Sequence, residues 1–438
     1  MIDSKIQSIC VVGLGYIGLP TASLFANNGI PVLGVDTNED AVRAINSGRN
    51  HVDEVGLRTL VEAGVASGHL KASGEPAPAD AFIIAVPTPF DKEKKPDLTH
   101  VFDSVKSILP YLRSGNLVII ESTVPPGTTY QVACLIASGR KDLVSGTGVE
   151  SLKVLLAHCP ERVLPGKILT ELVENDRIVG GVTPEASKRA AGLYGLIASG
   201  KIYQTDATTA EMVKLSENTY RDVNISLANE FALICERLGI DVWEVINLAN
   251  NHPRVKILNP GPGVGGHCIA VDPWFIVSAF PEESRLIRAA RDRNDAMPTF
   301  VVNRAMQLVE HDPHPKIACL GASYKGNVGD PRNSPAIEIY KSLCTRLGSR
   351  GQVVISDGHV TNSRVPLEPL ESAIAGATLL VLLTDHDEYK ELDPGTVGTK
   401  VREKIVLDTR GALEREKWQS AGFRIFRLGR GNESRRRE

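Results

Sequence analysis

Residues 8–36 read SICVVGLGYIGLPTASLFANNGIPVLGVD, and the order of signals in this stretch decides the fold. The apolar SICVV predicts a buried strand, GLGYIG a tight glycine turn, LPTASLFANNG a helix, and PVLGVD a second strand ending on Asp36. Gly13, Gly15 and Gly18 permit the tight turn and let a diphosphate approach a helix N-terminus, whose unpaired N–H groups favour an anion. Tyr16 and Ile17 belong to the same turn and are placed with the cofactor. A glycine-rich turn alone also suits a merely structural α/β unit; the acid closing the next strand points to a dinucleotide. The Asp36 carboxylate can accept hydrogen bonds from the adenosine ribose and would repel a 2′-phosphate, and Thr37-Asn38 supply no arginine to offset this. NAD is therefore expected rather than NADP.

Outward from this unit, apolar runs recur at 81–87 (AFIIAVP), 116–122 (NLVIIES), 153–158 (KVLLAH) and 176–181 (DRIVGG), separated by helix-like segments. Strands alternating with helices imply a parallel sheet covered on both faces. From 206 to about 248 the pattern becomes helical, with Asp206 or Thr208 as N-cap and Gly239 as the stop. A helix of that length spans between domains or packs against a partner chain. A further helical stretch, about 283–310, leads into the proline-marked HDPHPK. A second series of strands follows at 316–325, 352–357, 377–386 and 404–411. The expected fold is α/β: two Rossmann-like doubly wound domains joined by a central helical segment with one long helix. The boundaries expected are 1–205 for the NAD-binding domain, 206–311 for the helical and catalytic-loop domain, and 316–428 for a smaller nucleotide-type domain. A charged tail, 429–438, is expected to be disordered.

At 438 residues the chain is too long for one ordinary core. Its 42% hydrophobic and 23% charged residues describe a globular protein. A net charge of -3 supplies no basic field, which argues against nucleic acid or an anionic membrane as partner. The N-terminus passes into a strand pattern with no apolar stretch long enough for a signal or a span, so a cytoplasmic chain is expected. Seven cysteines without a C-x-x-C pair suggest neither a disulfide framework nor a zinc site, and no metal is expected.

Two constellations bear on chemistry. Lys214, Asn218 and Arg221 follow one another at i, i+4 and i+7 on the long helix, so they share a face; the spacing alone equally suits a solvated polar stripe. Cys268 stands in NPGPGVGGHCIAVDPW, residues 259–274, where glycines let backbone N–H groups reach a ligand. A thiol beside cations or helix N-terminal amides becomes a nucleophilic thiolate. It can capture an aldehyde as a thiohemiacetal, which loses a hydride to give a thioester, and water then releases an acid. NAD, one cysteine and one lysine in a shared site suggest oxidation of a primary alcohol to a carboxylate; position alone also allows a structural thiol.

The segments GLGYIGLP, VPTP, ESTVPPGTT, PERVLPG, EMVKLSENTYRDVN, GPGVGGHCIAVDPW and YKGNVGDPRNSPA, in that order, resemble the UDP-glucose/GDP-mannose dehydrogenase family over essentially the whole chain before the tail. Within it, KLSENTYRDVNISLANE, LANNHPRV and NPGPGVGGHCIAVDPWF are most similar to the UDP-N-acetyl-D-mannosamine 6-dehydrogenase subgroup. The resemblance implies Cys268 as nucleophile, Lys214 and Asn218 as the pair holding the reacting oxygen, and Asp272 as an acid that orients water. It implies Glu161 as a base for thioester hydrolysis and Thr123 as a threonine near nicotinamide and water. Thr88 and Arg332 match cofactor contacts. Arg162, Val163, Arg221, His252, Arg254, Gly263, Tyr324, Lys325 and Arg410 match the lining of the UDP-sugar site, together with Glu161, Lys214 and Asn218. The family counterpart of Arg254 reaches a neighbouring subunit, so a homodimer or larger homo-oligomer is implied. Val271 stands where UDP-glucose dehydrogenases carry lysine, and Pro165 where they carry a second glutamate. These losses favour an N-acetylated hexosamine over glucose. The implied function is four-electron oxidation of UDP-N-acetylmannosamine to its uronate for cell-surface polysaccharide. UDP-N-acetylglucosamine is the alternative substrate, and a catalytically dead NAD-binding scaffold the non-enzyme alternative, against which intact Lys214, Asn218, Cys268 and Asp272 weigh.

Overall fold

The computed structural model describes residues 6–91, 93–164 and 166–431. It divides into two compact units: Met1–Glu217 with Trp274–Pro281, and Asn218–Pro273 with Glu282–Glu438.

Among the described residues the first unit is built on eight strands: β1 (Ile9–Val12), β2 (Val32–Val35), β3 (Leu70–Ser73), β4 (Ala81–Ile84), β5 (Leu117–Ile120), β6 (Leu155–His158), β7 (Arg177–Gly181) and β8 (Ile202–Asp206). They lie in the order β3-β2-β1-β4-β5-β6-β7-β8. Because side chains alternate across a strand, β1 feeds two cores: Ile9 and Val11 join one apolar cluster and Cys10 and Val12 the other. Strands buried on both faces read as continuous apolar runs, which is why this part of the sheet was legible. The edge strands β3 and β8 were not foreseen. Both are short, and β8 is mostly half-exposed or exposed, so neither writes an apolar run. The expectation of a parallel sheet needs one correction. From β3 to β6 every pairing is parallel, but β7 joins β6 antiparallel, with His158 opposite Gly180, and β8 follows β7.

The long helix is Ala207–Leu238. Asp206 caps it, accepting from the Thr209 N–H at 2.9 Å. Gly239, at φ 71°, ends it, and a separate helix, Val242–Ala249, follows, capped by Asp241. Gly239 is thus the stop expected, and the helical text up to 248 holds a second element beyond it.

The second unit holds β9 (Lys316–Leu320), β10 (Gln352–Ser356), β11 (Leu379–Leu382), β12 (Ile405–Asp408) and β13 (Arg424–Arg427), all paired parallel in the order β10-β9-β11-β12-β13. Ile317 and Cys319 face one core and Ala318 and Leu320 the other. A helix over Arg285–Leu308 precedes this sheet. Of the tail expected to be disordered, the first residues are held: the Gly429 N–H donates to Glu236 at 3.0 Å and Arg430 pairs with Asp241 at 2.9 Å. Residues 432–438 lie outside the described residues.

Candidate active site

In the first unit the glycine turn has the shape its letters predict. A Cβ on Gly13, which sits at φ 92°, would lie 2.6 Å from the Ala85 carbonyl, and one on Gly18 would lie 1.8 Å from the Gly13 carbonyl. Gly15 is different: a Cβ there would meet nothing within 4 Å, so the turn opens onto free space. The helix Gly18–Asn27 begins without a side-chain cap and without an acid in its first turn, so no carboxylate on it opposes an anion at that end. Asp36 accepts from the Leu14 N–H at 2.9 Å and the Asn38 N–H at 2.8 Å, so its carboxylate is fixed beside the turn. Tyr16 is exposed and Ile17 half-buried on the same turn. These residues fit a dinucleotide.

The loops after β4 and β5 are tied together: the Thr88 hydroxyl donates to the Thr123 carbonyl at 2.7 Å, and Ser122 to the Val86 carbonyl at 2.7 Å. Glu211, which the sequence reading passed over, accepts from the Gly127 N–H (2.5 Å), the Thr129 N–H (2.7 Å) and the Thr129 hydroxyl (2.6 Å). It therefore caps the helix Thr128–Gly139 from a position one turn before Lys214. The Lys214 ammonium lies 4.0 Å from Glu161, with their side chains only 7% and 12% exposed. Glu161 also accepts from the Val163 N–H. Arg162 is bonded to Glu217 at 3.0 Å. Glu54 steadies the rest of this loop, accepting from the Gly166 and Ile168 N–H groups, both at 2.8 Å. Pro165, expected to mark a lost carboxylate, lies outside the described residues.

Behind these groups are polar side chains with little access to water. Burial pushes the His158 imidazole down to about 3, and the charge of Lys214 pushes the same way. Neither ring nitrogen of His158 has a partner among the described residues. Glu121, fully buried, is pushed up to about 7 by desolvation against the opposing attraction of Arg177.

In the second unit, Asn218 links two candidate residues. Its amide N–H donates to the Asp272 carboxylate at 2.5 Å, and its carbonyl accepts from Arg221. The Cys268 carbonyl accepts from the Asp272 N–H at 2.8 Å, so Cys268 and Asp272 close one turn at the start of the helix Asp272–Ala279. Cys268 itself is half-buried. The glycines ahead of it, expected to let backbone N–H groups reach a ligand, are also required by close packing. A Cβ on Gly265 would lie 2.5 Å from the Asn333 carbonyl, one on Gly266 3.0 Å from the Tyr324 ring, and one on Gly263 3.1 Å from Pro335. Tyr324 thus borders the cysteine loop, with Lys325 half-buried beside it. Arg410 donates to Asp385 through Nε (3.1 Å) and Nη2 (2.8 Å), and a Cβ on Gly261 would lie 2.9 Å from its Nη1. Arg332 is bound by Asp330, at 2.7 Å from Nη2. His252 and Arg254 are exposed and contact each other, the Arg254 N–H donating to His252 Nδ1 at 3.3 Å; no bond among the described residues joins them to the Cys268 group. The carboxylate partners Asp330, Asp385 and Glu217 were also missed. The signals for Glu217, three residues past Lys214 in KLSEN, and for Asp330, two residues before Arg332 in DPR, were visible; for Asp385, 25 residues before Arg410, sequence distance hid it.

Residues 7–198, 208–296 and 318–415 match, in that order, the NAD binding domain, the central domain and the UDP binding domain of the UDP-glucose/GDP-mannose dehydrogenase family. The chain is 50% identical over 431 residues to a UDP-N-acetyl-D-mannosamine dehydrogenase of Methanocaldococcus jannaschii, with 97% of each chain covered. It is 49% identical over 417 residues to an NDP-N-acetyl-D-galactosaminuronic acid dehydrogenase of Ralstonia solanacearum, covering 94% of this chain and 97% of the other. Among solved structures it resembles a UDP-D-ManNAc dehydrogenase from Pyrococcus horikoshii, with a TM-score of 0.88 at 40% identity over 97% of this chain and 100% of that one. The chain therefore belongs to the UDP-glucose/GDP-mannose dehydrogenase family and is an NAD-dependent oxidoreductase.

Proposed function

We propose that the protein oxidises the primary alcohol of UDP-N-acetyl-D-mannosamine to the carboxylate, a four-electron change that serves cell-surface polysaccharide synthesis from the cytoplasm. The observation that carries the reading is the turn in which Cys268 holds the Asp272 N–H while Asn218 holds the Asp272 carboxylate, in a chain half identical to a UDP-N-acetyl-D-mannosamine dehydrogenase. NAD, when bound, supplies the hydride acceptor for both oxidations. Lys214 and Asn218 hold the reacting oxygen and stabilise its developing charge. The Cys268 thiolate adds to the aldehyde carbon, and the thiohemiacetal so formed is oxidised to a thioester. Water, oriented by Asp272, then attacks the thioester while Glu161 takes its proton; the C–S bond breaks and the thiolate is restored. The relative named for an N-acetylgalactosaminuronic acid makes the sugar's ring stereochemistry the point to test.

The test is a panel of UDP-N-acetylmannosamine, UDP-N-acetylglucosamine and UDP-glucose, read as NADH formed per sugar consumed. Two NADH per molecule are expected, with the mannosamine substrate preferred by kcat/KM. Cys268→Ala should bind both ligands yet lose acid formation by about a thousandfold or more. Uronate made by Cys268→Ala at a near wild-type rate would show that the thiol is structural.

A homodimer paired through the long helix belongs to the same proposal. Tyr220, Leu227 and Ile234, 57%, 44% and 48% exposed, recur at seven-residue spacing on it. Leu227→Asp should shift the light-scattering mass toward the monomer; a wild type that is an active monomer would refute the pairing. Among the described residues no helix is long and apolar enough to cross a membrane.

A further inference from the structure

Asp36 and Asp357 hold corresponding places in the two sheets. Each follows the second strand of its series, β2 or β10. Each accepts from the residue after a glycine of positive φ: Leu14 after Gly13 (φ 92°) at 2.9 Å, and Ala322 after Gly321 (φ 101°) at 2.7 Å. Each also accepts from the residue two places on, Asn38 at 2.8 Å and His359 at 2.9 Å. There the likeness ends. Asp357 receives in addition the Ser323 N–H (3.0 Å) and hydroxyl (2.9 Å), the Val360 N–H (3.2 Å) and His386 Nε2 (3.0 Å), and its side chain is wholly buried. A carboxylate so occupied has no lone pair to offer a ribose. It is an anchor for the loop that follows β9.

His386 is the other end of the fastening. Its Nδ1 accepts from the Asn327 N–H at 2.9 Å, so Nε2 must bear the proton donated to Asp357, and one tautomer of the neutral ring satisfies both bonds. The ring is stacked on His359 with centroids 4.3 Å apart and lies edge-on to Tyr389 at 5.4 Å. Asn327, at φ 59°, adds a paired contact: its amide donates to the Asp387 carboxylate at 2.6 Å and its carbonyl accepts from the Asp387 N–H at 3.0 Å. A Cβ on Gly326 would lie 2.6 Å from the Asp385 carbonyl. Residues 321–327 are therefore fastened at both ends, with Tyr324 and Lys325 between, and Tyr324 borders the backbone just ahead of Cys268.

We propose that His386, held in this single tautomer between Asp357 and Asn327, is a positioning residue for the UDP-sugar, fixing the loop that presents Tyr324 and Lys325. The proposal rests on the reading that this loop meets the UDP-sugar. His386→Phe keeps the ring stack but can neither accept from Asn327 nor donate to Asp357, whereas His386→Gln restores one acceptor and one donor. UDP binding by calorimetry and steady-state kinetics are measured on the full chain. His386→Phe should weaken UDP binding and raise the UDP-sugar KM by about tenfold or more, the range expected when a buried N–H loses its partner, with kcat held within about threefold. Its NAD affinity should be unchanged, and His386→Gln should recover most of the loss. Asn327→Gly keeps the positive φ and the backbone N–H but drops the Asp387 pair, and should weaken UDP binding with the melting temperature unmoved. Nitrogen NMR of the wild type should report His386 protonated at Nε2. A wild type that binds neither UDP nor a UDP-sugar overturns the functional reading itself. A wild type that binds, with His386→Phe and Asn327→Gly binding UDP equally well, overturns the positioning role alone. So does loss of NAD and UDP binding together in His386→Phe alongside wild-type UDP binding in Asn327→Gly.

Discussion

Replacing Glu121 by glutamine should make the protein more resistant to alkaline pH. The carboxyl stands just after β5, fully buried, accepting from the Tyr194 hydroxyl at 3.0 Å and the Thr21 hydroxyl at 3.5 Å through Oε1, while Oε2 has no partner among the described residues. Desolvation moves it from an ordinary 4.5 to about 7, in spite of the nearby Arg177. Between those two values the folded chain holds a proton that the unfolded chain has released. The stability this group contributes is therefore complete below about pH 4.5 and is lost as the pH rises through about 7. At roughly 1.4 kcal/mol per unit, the loss amounts to about 3 kcal/mol. Glutamine keeps the shape and stays neutral, so the variant lacks this loss; any fixed difference in hydrogen bonding cancels when two pH values are compared. Denaturant titrations of wild type and Glu121→Gln at pH 5 and pH 8 measure it. The variant should gain between about 2 and 3 kcal/mol on the wild type between the two conditions, part of the loss having occurred by pH 5. A gain below about 0.5 kcal/mol would mean that the carboxyl is ionised throughout and that Arg177 outweighs burial.

Two further outcomes follow from carboxylates at the first unit's loops. Asp36→Ala should narrow the preference for NAD over NADP in kcat/KM, because the fixed carboxylate that repels a 2′-phosphate is gone; an unchanged ratio would contradict it. Glu211→Gln should cost about 3 kcal/mol of stability, since three donors lose their charged acceptor. It should also lower kcat more than it raises the KM for NAD, and a variant as stable as the wild type would show that Glu211 is dispensable.

The fold was legible where residues are buried on two faces and illegible at the margins. β1, β4 and β5 are wholly buried and wrote apolar runs that could be read directly, whereas RIFR of β13 and IYQTD of β8, at sheet edges, hold no buried residue. The reversal of β7 left no trace, because strand direction is set by the connection and not by strand composition. At the candidate site, the residues named from the sequence were those inside contiguous motifs. Several carboxylates that hold the surrounding loops come from afar. Glu54 bonds Gly166, and Glu211 bonds Gly127, across stretches that no local pattern spans. Arg254 and His252 stand in a motif, are exposed and bond to each other, and no bond among the described residues joins them to the Cys268 group.

The turned-over pair β7 and β8 sets a length. Asp206 lies opposite Gly181, Gly181 opposite Ala157 on β6, and Gly180 is one step further toward the end where β6 runs out into Glu161. The helix that starts after Asp206 passes Gly180, where a Cβ would lie 2.6 Å from that of Ala210, and about one turn on it delivers Lys214 to Glu161. Had β8 run with β6, the helix would have begun at that end and travelled away from it. The segment from Asp206 to Lys214 is thus a ruler. Each residue in it adds ~1.5 Å and turns the helix by ~100°. A single insertion or deletion there would swing the lysine off the glutamate, whereas substitutions on the outward face would leave the pairing alone. Over evolutionary time this stretch is held to its number of residues, and at Asp206 and Glu211 to its letters as well.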